Sequence, residues 1–530
     1  MGTLFEDLLS PAAYPTPRPA AIELRETHIS AVYLAGPDVF KVKKPVDFGF
    51  LDFSTPEKRR AACDAEVHLN RRLAPDIYLG VVPITRTPDG RHHVGGEGDI
   101  VDHAVHMRRL PDEERADLRL ARGALGRPEI DHIAAAIAAF HAACRADAET
   151  ASFGTPESIR VNVLENFAQT RAVLDHYLSP EQAHEIESWQ LGFLRDNAAL
   201  LAQRITRGAV RDGHGDLRLE HAYLRPDGHI TILDCIEFND RFRYADVACD
   251  LAFLTMDLAH QRRVDLAEHL LAAYARESND FDLYAVIDFY ESYRAYVRAK
   301  IATFLAESPS APHDLRARAA EDARRHFLLA LSADRAPVIG PAVIAVGGII
   351  AAGKSTLADW ISAELAAPVV EADRTRKSMI GVAATTRVHD GAFAGAYDKG
   401  FTDRVYDEVM RRASVVLASG RPVILDASFR SPKMRLSAQA VAKNLGAPFH
   451  FIECRAPASV CKARLADRET RPGTVSDGRL AIFDDFLKEW QPVTELPPAE
   501  HSVVDTSRPE SETHAEVRAH LSTWPPGLAG

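Results

Sequence analysis

The sequence predicts two halves of different architecture: a bilobal α+β half, with a strand-rich lobe ahead of a helical lobe, then an α/β half built on a parallel sheet. Three observations carry this. At 530 residues the chain exceeds what one compact core accommodates. The stretch SADRAPVIGPAVIAVGG passes from a charged helical run through Pro337, Gly340 and Pro341 into an apolar strand, which marks a boundary near Ala336 and domains over residues 1–335 and 336–530. The patterning also differs on the two sides, with strands followed by helices before the break and regular strand–helix alternation after it.

In the first half, IELRETHISAVYLAGPDVFKVKKPV alternates as successive strands, with Gly36, Pro37 and Asp38 as the hairpin turn. STPEKRRAACDAEVHLNRRL has helical spacing, opened by a Ser54 or Thr55 cap with Pro56 in the first turn. IYLGVVPITRT and VDHAVHMRRLP read as two further strands. From Pro128 onward the pattern is helical, as in IDHIAAAIAAFHAAC, broken by short strands around residues 209–238. In the second half the order is AVIAVGG, KSTLADWISAEL, PVVEAD, FTDRVYDEVMRRASVVLASG, PVILDAS, a helix after Pro432, PFHFIEC and PASVCKARLADRE, which argues for a parallel sheet with helices on both faces. The end of the chain, with SRPESE and WPPGLAG, is expected to be loosely held.

With 63 basic against 75 acidic residues, the formal charge of −12 argues against broad nucleic-acid or anionic-membrane binding, either of which needs a basic surface. The six cysteines are scattered without zinc-ligand spacing. No apolar segment follows a basic N-terminus and no run approaches the roughly 20 apolar residues of a membrane span. A cytoplasmic protein with a small-molecule partner is the expectation, and the oligomeric state is left open.

GIIAAGKS, Gly348 to Ser355, fits G-x-x-x-x-G-K-[ST] between a strand and a helix. Backbone amides around Gly348 and Gly353 can cradle phosphates, Lys354 can reach the β and γ oxygens, and Ser355, followed by Thr356, is the expected magnesium ligand. VVEADRTRK puts Asp373 and Arg376 beyond the second strand, where a carboxylate can take the proton of an attacking hydroxyl and an arginine can anchor an anionic or polar substrate. Asp426 ends the strand of PVILDAS, where it can orient the metal's hydration shell. CKARLADRETRPG spaces Arg464, Arg468 and Arg471 ahead of a turn, which suits a lid over the transferring phosphoryl group. These stretches, over residues 340–500, resemble the small-molecule P-loop kinases, the gluconate-kinase-like and zeta-toxin-like group. The resemblance implies an α/β P-loop NTPase domain using ATP and magnesium, with Asp373 as base and the lid arginines stabilising transition-state charge.

HGDLRLEH poses a second chemistry. Asp216 is placed as a base facing a hydroxyl, Arg218 as a cation beside the γ-phosphate, and His221 stands five residues after the carboxylate, where a metal ligand belongs. Asp234, closing the strand of HITILDCIEF, suits a magnesium chelator. Upstream, the period of two places Lys41 and Lys43 on one strand face; Lys41 is the preferred phosphate lysine and Glu66 its ion-pair partner. AVHMRRLP would be the strand offering backbone to adenine. FKVKKPVDFGFLDFSTPEKRR, LNRRLAPDIYLGVVPI, HGDLRLEH and ILDCIEFNDRFRYADVACDLAFL resemble the aminoglycoside phosphotransferase-like kinases, especially a bacterial branch fused to a P-loop kinase. That implies an α+β bilobal protein-kinase-like fold over residues 20–300, with Asp246 and Asp250 bracing the catalytic loop. The chain departs from the kinase pattern in lacking a G-x-G-x-x-G loop and in carrying His221 where a metal-binding asparagine is usual. An imidazole there either weakens one magnesium site, moves preference towards manganese, or is structural. The reading is an ATP-dependent phosphotransferase with two nucleotide-binding kinase domains acting on hydroxyl groups of small molecules; the alternative is one active P-loop kinase regulated or scaffolded by a degenerate kinase-like sensor domain.

Overall fold

The computed structural model describes residues 3–49, 51–309, 311–331, 338–388, 391, 393–470 and 475–523, the last three by backbone alone. The boundary expected near Ala336, Arg471 with its turn, and WPPGLAG lie outside the described residues. The chain divides into two compact units, Met1–Asp257 with Lys300–Pro312, and Leu258–Ala299 with His313–Gly530.

The first unit opens with strands β1 (Glu23–Glu26), β2 (Ser30–Ala35) and β3 (Asp38–Lys43), followed by helix α1 (Pro56–Asn70) and strands β4 (Tyr78–Arg86), β5 (His92–Val94) and β6 (Asp99–Arg108). They form one antiparallel sheet in the order β1-β2-β3-β6-β4-β5. Ala35 pairs with Asp38 across the two-residue turn Gly36-Pro37, and Gly36 takes the left-handed φ of 67° that this turn requires. Alternation along β3 sorts its side chains: Phe40 and Val42 join Leu8, Tyr14 and Tyr33 on one face, whereas Val39 packs with Cys63 and Val67 of α1 on the other. Lys41 and Lys43 share the parity of Val39, so both lie beneath α1 and Glu66. The cap of α1 is Thr55, whose hydroxyl accepts from the backbone N–H of Lys58 at 3.3 Å. The helical lobe includes α2 (Arg127–Ala143), α3 (Pro156–Thr170) and α4 (Pro180–Asp196), together with the short strands β7 (Val210–Asp212), β8 (Ala222–Leu224), β9 (Ile230–Ile232) and β10 (Tyr244–Asp246), paired β7 with β10 and β8 with β9. Helix α5 (Val247–His260) follows.

The second unit takes up α6 (Val264–Ser278), most of α7 (Ile287–Ala306) and α8 (His313–Ala330). Then come β11 (Val343–Gly348), α9 (Lys354–Leu365), β12 (Val369–Glu371), α10 (Ala372–Met379), α11 (Lys399–Ala418), β13 (Val423–Asp426), α12 (Pro432–Asn444), β14 (Phe449–Arg455), α13 (Ala458–Glu469), β15 (His501–Asp505) and α14 (Glu510–Thr523). The five strands are parallel in the order β12-β13-β11-β14-β15. Ile344, Val346, Leu357, Ile361, Ile424, Ile452 and Val504 form a core on the sheet, and Val517 of α14 is fully buried in it. That corrects the expectation that SRPESE opens a loose tail: its glutamates fall in the first turn of α14, where the helix dipole favours them. No helix among the described residues is long and apolar enough to cross a membrane.

Helices α6 and α7 and the segment between them are fastened to the parallel-sheet residues of this unit by charge. Arg421, 2% exposed, meets Glu268 Oε2 at 2.7 Å and Asp288 Oδ1 at 2.9 Å. Arg411 reaches Asp282 at 2.7 Å and Arg412 reaches the Asn279 amide oxygen at 2.7 Å. Removing one member of such a pair strands a buried charge, which costs about 3–5 kcal/mol. Glu268→Ala is therefore expected to lower the thermal midpoint of the second unit by several degrees, whereas Glu268→Gln, which keeps an acceptor, loses less; scanning calorimetry of the full chain checks this.

Candidate functional sites

In the first unit HGDLRLEH is pinned from below by Asp250, whose carboxylate accepts from the backbone N–H of His214 at 2.6 Å and of Gly215 at 2.8 Å. A Cβ at Gly213 would overlap Asp250 Oδ2, so only glycine permits this approach. Asp246 does something else: it accepts from Arg204 at 2.6 and 2.8 Å and from the N–H of Ala248, bracing α5 rather than the loop. Arg218 directs Nε at both oxygens of Asp216, at 3.1 and 3.2 Å, and Nη1 at Glu220.

The histidines of this loop are held as opposite tautomers. His214 Nε2–H donates to the carbonyl of Leu233 at 3.0 Å, and burial holds its imidazole down to about 4. His221 Nδ1 lies 2.7 Å from the carbonyl oxygen of Asp216, which can only accept, so Nδ1 carries the proton. His221 Nε2 then faces Arg218 Nη2 at 3.3 Å and stands 3.7 Å from Asp234 Oδ2. That is the arrangement of a metal-ligating histidine, with one nitrogen tied to a carbonyl and the other left basic.

Asp234 sits at φ 67°, a strained conformation for a non-glycine residue, and its N–H donates to the hydroxyl of Tyr78 at 3.2 Å. Lys41 Nζ lies 2.5 Å from Asp234 Oδ1 and 2.9 Å from Glu66 Oε1. Burial by itself would raise the Asp234 carboxyl, but Lys41 and then His221 hold it far below the usual range. Lys43 Nζ lies 2.7 Å from Glu66 Oε2 and is closed off by Glu237. Glu66, fully buried, thus forms ion pairs with both lysines, and Lys41 also faces the Asp216 loop through Asp234. Glu237 escaped the sequence reading; a carboxylate three residues after Asp234 in ILDCIEF was its one signal.

In the second unit the loop from Gly348 to Ser355 joins β11 to α9. A Cβ on Gly348, at φ 142°, would overlap the carbonyl oxygen of Cys454, and Gly353 takes φ 83° against Thr506 and Arg464. Lys354 Nζ folds back to the carbonyl oxygen of Ile349 at 2.8 Å. Burial pushes the Asp426 carboxyl up to about 7, with Glu371 and Asp373 adding and Lys354 and Ser355 opposing. Asp373, at the start of α10, is likewise raised by burial and restrained by Arg376. Arg376 is 4% exposed: Nη1 donates to the carbonyl of Ala396 and to Thr402 Oγ1 at 3.3 Å, the guanidinium lies 4.4 Å over the Tyr397 ring, and Nε has no hydrogen-bond partner among the described residues. Arg430 is stacked on Phe393 and Phe486, 5.0 and 5.6 Å from their centroids, and both guanidiniums act on the buried phenol of Tyr406.

Arg464 does not project from a lid. Nη1 lies 3.3 Å from the carbonyl oxygen of Ala351 and Nη2 donates to that of Thr506 at 2.6 Å, so it ties the glycine-rich loop to the end of β15. A cavity of about 300 Å³ opens beside it, lined by Gly353, Thr356, Arg468, Thr506, Arg508 and His514. The last three were invisible in the motif-based reading because the stretch TSRPESETH carries no motif. Asp477 was missed as well: it takes Lys377 at 3.2 Å, Tyr397 Oη at 2.8 Å and the N–H of Val388 at 3.0 Å, so it is a satisfied buried anchor.

The donor sets differ. Ser355 and Asp426 offer the oxygen ligands that magnesium prefers; Asp234 and His221 offer one oxygen and one nitrogen, which suits a softer divalent ion equally. His260, Asp322 and His326 also gather closely among the described residues, but the imidazoles are stacked 4.0 Å apart at 12°, so their lone pairs run parallel, and both are already directed at Asp322.

The phosphotransferase enzyme family matches residues 35–290 and an AAA domain matches residues 343–493. The chain is a kinase, with an aminoglycoside-phosphotransferase-like domain followed by a P-loop kinase-like domain. It belongs to the family of two mycobacterial relatives, the uncharacterized proteins Rv2004c of Mycobacterium tuberculosis and Mb2027c of Mycobacterium bovis, each 34% identical over 458 residues, 86% of this chain and 88% of the relative. Among solved structures, a gluconokinase from Sinorhizobium meliloti 1021 is similar at a TM-score of 0.25, with 20% identity over 35% of this chain and 93% of that one. A choline/ethanolamine kinase family protein from Mesorhizobium loti is similar at 0.33, with 11% identity over 59% and 92%.

A carboxyl raised from 3.8 to about 7 is largely protonated below pH 7 and does not then ligate magnesium. Magnesium-supported nucleotide binding at the Gly348–Ser355 loop is expected to be complete above pH 8 and to weaken as the pH falls through 7, approaching about tenfold per unit. Titrations with a non-hydrolysable ATP at several pH values read this directly, and Asp426→Asn should abolish the dependence along with most of the binding.

Proposed function

We propose that the protein carries two ATP-dependent phosphotransfer sites, one in each unit, each moving a γ-phosphoryl group to a hydroxyl of a small molecule. The observation that supports this most is that both units set a lysine and a metal-binding carboxylate beside a second carboxylate suited to act as base: Lys41, Asp234 and Asp216 in the first, Lys354, Asp426 and Asp373 in the second. In the first site Lys41, oriented by Glu66, holds the α and β phosphates, while Asp234 and His221 hold the metal. Asp216 accepts the acceptor's proton, and Arg218 turns from Asp216 to the γ-phosphate. In the second site the amides from Gly348 to Gly353 with Lys354 hold phosphate, Ser355 and Asp426 hold magnesium, and Thr356 and Arg468 border the nucleotide. Arg464 supports the loop and carries positive charge to the reacting phosphoryl. The free Nε of Arg376 and the guanidinium of Arg430 suit an acceptor with a negative charge, whose hydroxyl faces Asp373. The six cysteines form no disulfide among the described residues, which suits a reducing compartment such as the cytoplasm.

One observation favours a second reading, in which the first unit senses a ligand and regulates one active P-loop kinase: Arg218 is committed to Asp216 and Glu220. A screen for metabolites phosphorylated by the wild type, Asp216→Asn and Lys354→Ala separates the two. The proposal expects one product to vanish with each variant; products that all depend on Lys354 and none on Asp216 would favour the sensor. Metal preference adds a second check: Asp216-dependent turnover should proceed at least as well with manganese as with magnesium, and His221→Asn should move the preference to magnesium.

A further inference from the structure

Helix α6 lies within the stretch matched by the phosphotransferase family, residues 35–290, yet it belongs to the compact unit of the parallel sheet. In its last turn Arg276 places Nε 2.7 Å from Glu371 Oε1 and Nη1 3.0 Å from Asp359 Oδ1, and its carbonyl oxygen accepts from Arg374 Nη1 at 3.2 Å. Glu371 is 7% exposed. It ends β12, pairs with Asp426 across the parallel ladder, and directly precedes the helix that carries Asp373. Three carboxylates, Glu371, Asp373 and Asp426, therefore crowd strand ends where Lys354 is the nearest phosphate-binding cation. A nucleotide's phosphates have the same sign. A third carboxylate without its own cation would repel them, compete for Lys354, or enter the metal's ligand shell. Besides Arg276, the charged group facing Glu371 is Arg374, whose Nε lies 3.5 Å from it.

We propose that Arg276 is a positioning residue for the P-loop site, fixing Glu371 in an ion pair so that a side chain from the phosphotransferase-family stretch sets the metal and nucleotide affinity of the other domain's site. This rests on reading the Gly348–Ser355 loop as a nucleotide site. Arg276 touches neither nucleotide nor acceptor; it acts through Glu371.

The test is calorimetric titration of the full-length protein with a non-hydrolysable ATP over a range of magnesium concentrations, reading the component that Lys354→Ala removes. Arg276→Met should raise the magnesium half-saturation of that component by about 10- to 100-fold, the usual loss when an outer-shell partner is removed. Arg276→Lys should recover much of it. Adding Glu371→Gln to Arg276→Met should recover it too, because no buried carboxylate is then left with the more distant Arg374 as its cation. The nucleotide component independent of Lys354 should not move. If Arg276→Met does not fold, Arg276→Gln, which keeps most of the stem, carries the same test. Unchanged magnesium dependence in the variant, or a double variant no better than the single one, overturns the proposal. A wild type with no Lys354-dependent component overturns the nucleotide-site reading, and this inference with it.

Discussion

Buried carboxylates that must each find a cation or an amide are the constraint on which both units are organised. Glu66 is fully buried and stands only because Lys41 and Lys43 take one oxygen each. Asp250 is buried as well and takes two backbone amides besides His141, which fixes the catalytic-type loop from beneath. In the second unit Arg421 joins Glu268 and Asp288, and Arg276 holds Glu371. Such pairs add little net stability over apolar packing, but losing one partner is costly, so they fix geometry more than they strengthen the fold. Asp426 is the exception. With Lys354 turned to the Ile349 carbonyl, burial pushes its carboxyl up to about 7. A carboxylate left undercompensated beside a glycine-rich loop is poised for an incoming cation.

Much of this was legible in the sequence because it is local. The Gly36-Pro37 hairpin, the Thr55 cap with Pro56, the period of two that puts Lys41 and Lys43 under α1, and the strand–loop–helix around Gly348–Ser355 are written within a few residues of one another. What was not legible is long-range. Glu237 closes over Lys43 across almost the whole first unit, and Asp477 meets Lys377 from a segment whose sequence carries no signal. β15 and α14 are polar enough to pass for a tail, and only the burial of Val504 and Val517 in the sheet core shows their place. The anchoring of Arg464 was hidden for a similar reason: its carbonyl partners, Ala351 and Thr506, lie far away in the chain.

His221 is where local and long-range information meet. By sequence it stands where an asparagine is usual, which argued for a weakened magnesium site, for a preference moved towards manganese, or for a structural histidine. The structure adds a tautomer: a proton held on Nδ1 by the Asp216 carbonyl leaves Nε2 basic, close to Asp234. The same geometry has a competing use, since Arg218 Nη2 already lies against that nitrogen. The first site therefore turns on whether a metal–nucleotide complex draws Arg218 away from Asp216 and Nε2.

The central claim is that each unit binds nucleotide by its own lysine. Counting the nucleotides bound per full-length chain at saturating manganese or magnesium, for the wild type, Lys41→Ala, Lys354→Ala and the double variant, measures it most directly. The account predicts two, one, one and none. A single nucleotide in the wild type, lost in Lys354→Ala and untouched in Lys41→Ala, would contradict it.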